Sequence, residues 1–340
     1  MSPNKILVIG SNSFSGSHFV SHALKEGNQV WGVSRSQEPD NIFLPYYWPQ
    51  VRGGRTIASK ENFTFTRIDL NKDLTKLIEL IDSIKANIIV NFASQGMVAE
   101  SWLNPTDWYK TNVVSQVAFH DELRKRKFID RYIHITTPEV YGSTNEGWIK
   151  EDKYFSPSTP YAVSRACCDM HLQSFFKAYE FPVIFTRAAN VFGPGQQLYR
   201  IIPRALLSAR TGKPMQLHGG GNSIRSFIHI SDVVKATLKL SLEGEPGSTW
   251  HISTKESISI RDLVKLIFSL TNSDFDALVK VNEDRLGKDQ CYLLNSEAIR
   301  SKHGWSDEIE LSEGLKETLA WVDQNLERLV KLPWTYKHTS

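Results

Sequence analysis

Cysteine is scarce in this chain: three residues in 340, Cys167, Cys168 and Cys291, two of them adjacent. That shows no metal-ligand spacing and suits reduced thiols better than a disulfide framework. Long apolar runs are missing too, and no stretch reaches the roughly 18 residues a membrane-spanning helix needs. A dominant charge is also absent. Forty basic against 37 acidic residues leave a formal net charge of +3, too small to point to nucleic acid or a membrane surface. The basic run Arg124-Lys125-Arg126-Lys127 closes a helical pattern, where cations complement the helix dipole. Met1 to Asn4 leads straight into a strand pattern, so no leader and a cytoplasmic location are expected. What remains is an ordinary globular composition, 41% apolar and 23% charged, in a length that holds one large or two ordinary domains.

The chain is organised around its first unit. Ile6-Leu7-Val8-Ile9 is an apolar run of the kind a parallel strand buried on both faces requires. Gly10-Ser11-Asn12-Ser13-Phe14-Ser15-Gly16 follows, and then Phe19, Val20, Ala23 and Leu24 share one helical face. Gly10 permits a sharp turn and Gly16 a close helix–strand approach, while the helix N-terminus offers free N–H groups to a pyrophosphate. Ser13 stands where a middle glycine is common. Taken alone, these residues fit a purely structural turn as well.

A second strand, Gln29–Val33, ends in Ser34-Arg35-Ser36. No acid is there to take ribose hydroxyls, which leans towards a 2′-phosphate and NADP; a solvated arginine beside NAD is the alternative. Residues 38–60 read as an inserted loop, a lid or subunit contact. Phe63–Ile68 alternates as a third strand, with Asp69 and Leu70 at its end beside an adenine. A helix over Leu74–Ile84 and a buried strand over Asn87–Phe92 follow, running into Ala93-Ser94-Gln95. One helix is expected from Pro105 to Leu123 and a strand over Tyr132–Ile135. Strands alternating with helices predict an α/β, doubly wound parallel sheet. The fifth strand runs into Thr136-Thr137-Pro138-Glu139-Val140-Tyr141-Gly142. Tyr161 and Arg165 then stand at i and i+4, one helical turn apart, so the cation favours phenolate; an ordinary helix start is the plain alternative.

Together these pieces resemble the extended short-chain dehydrogenase/reductase family, in its nucleotide-sugar 4,6-dehydratase branch. Ile6–Gly16 is similar to the cofactor loop, Thr137–Gly142 to the dehydratase active-site strand, and Tyr161–Arg165 sits where the family has Tyr-x-x-x-Lys. Arg187–Gly195, Gly221–Val233 and Asp284–Asp289 look like the family's later signatures. The resemblance implies a Rossmann-type domain over residues 1–188, with a contribution from about 220–250. A smaller C-terminal α/β substrate lobe would span 189–335, the site lying at the carboxyl ends of the strands between the lobes. It assigns Gly10, Ser13, Phe14, Ser15, Gly16, Ser34, Arg35, Asp69, Leu70, Phe92, Ala93 and Ser94 to the cofactor, with Tyr161 and Arg165. Gln95, Asn190, Arg200, Arg225 and Arg285 go to a nucleotide-diphosphate sugar, and Thr137, Glu139, Tyr161 and Arg165 to catalysis. No metal is implied.

The implied reaction forms a 4-keto-6-deoxy sugar nucleotide by hydride transfer to and from a tightly bound nicotinamide cofactor. Three departures stand out: Ser13 for glycine, Pro138 where the thymidine-diphosphate-glucose enzymes have an aspartate, and Arg165 for lysine. Arginine keeps the charge but is bulkier and does not deprotonate. A 4-epimerase, which needs no base like Glu139, and a catalytically silent sugar-nucleotide binder are the competing readings. Apolar residues on more than one face of the helices near Pro105 and Tyr161 (Val113, Val114, Val117, Ala118; Ala162, Cys167, Leu172, Phe175, Phe176) lead to a homodimer joined by a four-helix bundle.

Overall fold

The computed structural model describes residues 4–49, 51–52, 55–56, 62–143, 147–151, 154–283 and 291–338. The apolar run becomes β1 (Lys5–Ile9), buried from Ile6 onward, and leads into α1 (Phe14–Lys25). Then come β2 (Gln29–Ser34), β3 (Phe63–Arg67), α2 (Leu74–Ile84) and β4 (Ile88–Asn91). α3 (Pro105–Tyr109), α4 (Ser115–Leu123), β5 (Arg131–Ile135), α5 (Pro160–Tyr179) and β6 (Val183–Ala188) follow. The later elements used below are β7 (Asn190–Phe192), α6 (Ile201–Thr211), β8 (Ile224–Arg225), β9 (Phe227–His229) and α7 (Ile230–Glu243). β10 (Thr249–Ile252), β11 (Ile258–Ser259), α8 (Ile260–Leu270), β12 (Cys291–Leu294) and α9 (Leu311–Leu329) complete them.

Seven strands form the central sheet in the order β10-β6-β5-β4-β1-β2-β3. The pairs β1/β2, β1/β4, β2/β3, β4/β5 and β5/β6 are all parallel, as strands joined by crossover helices must be. The strand order reverses between β1 and β4, which defines the switch point beyond their carboxyl ends. Leu7, Ile9, Ile89, Tyr132 and Phe185 of the sheet pack with Leu77 and Ile81 of α2, Phe119 and Leu123 of α4, and Cys168 and Leu172 of α5.

The helix expected without a break from Pro105 to Leu123 has a π-helical turn at Lys110–Val114 between α3 and α4. The buried Asn112 lies in this turn. The chain divides into two compact units, residues 1–140, 159–187 and 234–250 in one and 141–158, 188–233 and 251–340 in the other. Segment 141–158 lies in the second unit and segment 234–250 in the first. In the second unit β7 pairs parallel with β9, while β8 lies between β11 and β12. Among the described residues no helix is long and apolar enough to cross a membrane.

Candidate active site

The first turn is built for close approach. Gly10 has φ +81°, and a Cβ there would sit 2.9 Å from the Ala93 nitrogen. A Cβ on Gly16 would lie 2.2 Å from the Gly10 carbonyl oxygen. Ser13, the departure from glycine, is the N-cap of α1: its hydroxyl accepts from Gly16 N at 3.1 Å and donates to Gly10 O at 2.7 Å. A serine therefore closes the turn with its own side chain. Phe14, Ser15 and Gly16 make the first turn of α1, where backbone amides lack intrahelical partners. Ser34 is buried and accepts from Asn12 N at 3.0 Å, and the Arg35 carbonyl accepts from Arg67 Nε at 3.1 Å. Asp69 caps its own turn by accepting from Asn71 N at 2.9 Å, and Leu70 is buried in the core. The insertion at 38–60, where described, is held by Glu38, which accepts from Tyr46 and Tyr47 at 2.8 and 2.9 Å. Burial, then Glu38, pushes the Tyr46 pKa above its ordinary value.

The end of β4 is supported from behind. Asn91 Oδ1 accepts from Ala93 N at 2.9 Å, while its amide donates to Gln116 and to the Tyr132 hydroxyl. Phe92 N bonds to Ile9 O, Ser94 is exposed and Gln95 is buried. Asn112, in the π turn, accepts from Gln95 N at 2.7 Å and donates to Gln95 O and Ser164 Oγ.

Thr137 is buried just beyond β5 and accepts weakly from Glu139 N at 3.4 Å; Glu139 is half-buried in a single 3₁₀ turn opened by Pro138. Proline's fixed φ suits the first position of that turn. Thr159 caps α5 through Ala162 N, and Pro160 takes its first position. Tyr161 N then bonds to Ser101 Oγ at 3.2 Å, and Arg165 follows one turn later. Arg165 is buried at 3% exposure, and its Nη2 donates to the carbonyl of Ile135, the last residue of β5. The candidate helix and the candidate strand end are therefore joined by the arginine that departs from the family pattern. Asn112, Ser164 and Ser101 were not singled out from sequence; a buried asparagine between valine and threonine in a helix was the available signal.

Cys168 Sγ and one nitrogen each of the buried His120 and His134 lie within 4.8 Å of one another. Burial pushes the Cys168 thiol pKa up, and burial lowers that of His134, aided by Arg165 and Arg187.

In the second unit Asn190 Oδ1 accepts from the Tyr292 hydroxyl at 2.8 Å, and the buried Arg225 guanidinium lies 4.1 Å from the centre of the same ring. Arg200 is the exposed N-cap of α6, 5.5 Å from the Tyr199 ring centre. Arg285 lies outside the described residues, as does the rest of the expected clamp at 284–289.

A seven-stranded sheet, a glycine turn after β1, a Thr-x-Glu turn after β5 and a Tyr-x-x-x-Arg helix are the parts that the resemblance to the extended short-chain dehydrogenase/reductases implies. The chain belongs to the GDP-mannose 4,6 dehydratase family, whose model matches residues 7–318. It is 30% identical over 329 residues to a trifunctional UDP-glucose 4,6-dehydratase/UDP-4-keto-6-deoxy-D-glucose 3,5-epimerase/UDP-4-keto-L-rhamnose-reductase of Arabidopsis thaliana, covering 96% of this chain and 48% of that protein. The chain thus spans about half the length of that plant relative. It is 28% identical over 327 residues to the human dTDP-D-glucose 4,6-dehydratase, covering 94% of this chain and 90% of the relative. Among solved structures, the dTDP-glucose 4,6-dehydratase of Bacillus anthracis in complex with NAD superposes with a TM-score of 0.83 at 26% identity, covering 95% of this chain and 98% of that one.

Proposed function

We propose that this chain is a nucleotide-diphosphate-sugar 4,6-dehydratase that yields a 4-keto-6-deoxy sugar nucleotide. The observation that carries it is the half-buried Glu139 beside Thr137, two residues beyond the Ile135 carbonyl that Arg165 engages. The cradle fits a nicotinamide dinucleotide: Gly10 and Gly16 leave no room for a Cβ, and Ser13 orders the turn below the α1 amides. Gly10 to Gly16, Ser34, Arg35, Asp69, Leu70 and Phe92 to Ser94 would hold it. When bound, such a cofactor would supply a hydride acceptor for the sugar C4 and the hydride donor for C6. We favour NADP slightly over NAD, because β2 ends without an acid and with Ser34-Arg35.

Tyr161 takes the C4 hydroxyl proton, with Thr137 hydrogen-bonded to the same oxygen. The Arg165 charge one turn away favours the phenolate. The C4 ketone acidifies the C5 proton, which Glu139 removes as general base and passes, itself or through a water, to the leaving C6 hydroxyl. Hydride return at C6 is then matched by a proton delivered to C5 from solvent. Asn190, Arg200, Arg225 and Arg285 bind the nucleotide diphosphate, the arginines by charge-assisted hydrogen bonds. A silent sugar-nucleotide binder is the second reading, favoured by one observation: one Arg165 N–H is given to a backbone carbonyl. Incubation with UDP-, dTDP- and GDP-hexoses separates the two. The dehydratase reading expects a 4-keto product from at least one; binding without product supports the silent reading.

A homodimer through α3, α4 and α5 belongs to the same proposal. The residues that support it are the exposed Tyr109, Val114, Met170 and Tyr179. Leu172, counted on that face from sequence, is buried in the core, and Phe175 and Phe176 pack against it.

A further inference from the structure

The most heavily engaged buried carboxylate of the first unit belongs to Asp169, which the mechanism above does not use. It lies on α5, one turn after Arg165, and is fully buried. Its Oδ2 accepts from Thr136 Oγ1 at 2.8 Å and from Arg187 Nη2 at 2.8 Å. Its Oδ1 lies 3.3 Å from His134 Nε2, short in distance but off the hydrogen-bond line. Burial alone would raise the Asp169 pKa; Arg187, His134 and Arg165 hold it below the ordinary value, so it is a carboxylate.

These partners make a pattern. His134 and Thr136 point to one side of the strand end, as residues two apart must, and Asp169 meets both. Ile135 between them gives its carbonyl to Arg165. Two successive residues, Ile135 and Thr136, are thus hydrogen-bonded by two side chains a turn apart on α5, with His134 beside them. The next residue is Thr137 and Glu139 follows closely, while α5 also carries Tyr161. An apolar contact would hold helix to strand as strongly, since buried ionic groups replaced by packed hydrocarbon often leave stability unchanged. What the ionic arrangement adds is a single register.

We propose that Asp169 is a positioning residue for the dehydratase centre, setting the end of β5, with Thr137 and Glu139, against the helix that carries Tyr161 and Arg165. This rests on the dehydratase reading. Arg187 fixes the carboxylate from β6, so that the aspartate does not follow α5 alone.

The test compares wild type, Asp169→Asn and Thr136→Val, each with its bound cofactor, on UDP-, dTDP- and GDP-hexoses. Asp169→Asn keeps the volume and drops the charge. It should lower kcat by roughly 10²-fold, the scale of an ångström-sized misplacement, with KM and cofactor content within threefold of wild type. Thr136→Val removes one hydrogen bond at nearly constant shape and should lower kcat by about 10-fold in the same way. A merely structural role would lower stability and leave kcat per folded molecule unchanged. If Asp169→Asn does not fold, Thr136→Val decides alone. Variants with kcat within threefold of an active wild type overturn this proposal and leave the dehydratase reading standing. A wild type that turns over none of these sugar nucleotides overturns both.

Discussion

Arg165 is the residue on which the account turns. Lysine in its place would keep a cation on a slimmer stem, so Arg165→Lys should hold or raise turnover. Arg165→Ala should slow it by roughly 10²-fold or more, the scale of impairing a general base. Steady-state rates on the best substrate of the hexose panel check both; an alanine variant as fast as wild type would remove Arg165 from the centre. His120 carries a second expectation. Burial, then His134 and His171, hold its pKa well below 6.5. The folded chain therefore stays unprotonated there while the unfolded chain takes up a proton as pH falls through that value. Stability is full above it and declines below, by up to about 1.4 kcal/mol per pH unit from this group. Urea midpoints at pH 7.5 and 5.5 should differ in that direction, and His120→Gln should narrow the gap. The motif residues were legible because a strand end and a helix start frame them. Asp169 was not, since a lone acid in a helix reads as a solvated one until Arg187, eighteen residues on, is seen to meet it.

At the scale of the element, the turn between β1 and α1 tolerates no side chain at its first position. Gly10→Ala would place a Cβ 2.9 Å from Ala93 N at φ +81°. Backbone strain of about 1–3 kcal/mol is the expected cost, together with a weakened cofactor site. Denaturant unfolding and a fluorescence titration with NAD and NADP measure the two separately. The π turn gives another expectation. Asn112→Ala removes two hydrogen bonds to the Gln95 backbone, each worth about 0.5–1.5 kcal/mol net. Loss of stability should therefore exceed that of an ordinary surface substitution, and an unchanged urea midpoint would contradict it. Helix α2 was legible to its ends because Leu77, Ile78 and Ile81 repeat at helical spacing. The π turn was not, because Lys110–Val114 has ordinary helical composition and only the Gln95 backbone, fifteen residues and more away, calls for it.

For the whole molecule, the alternation of strands and helices was enough to predict a doubly wound parallel sheet, and the order β3-β2-β1-β4-β5-β6-β10 is that fold. The second unit was less legible, because it is assembled from separated segments, 141–158 among them. The dimer expectation belongs here: light scattering at micromolar concentration should give twice the 38.7 kDa chain mass, and Val114→Glu with Met170→Glu should give the monomer. The central claim is an internal hydride transfer, from C4 to C6 of one sugar. It is tested most directly by supplying UDP- and dTDP-glucose deuterated at C4 and locating the label in the product by mass spectrometry and NMR. The account expects the deuterium at C6 of a 4-keto-6-deoxy sugar, with no net reduced cofactor. Label retained at C4, whether in unchanged substrate or in an epimer, would contradict it.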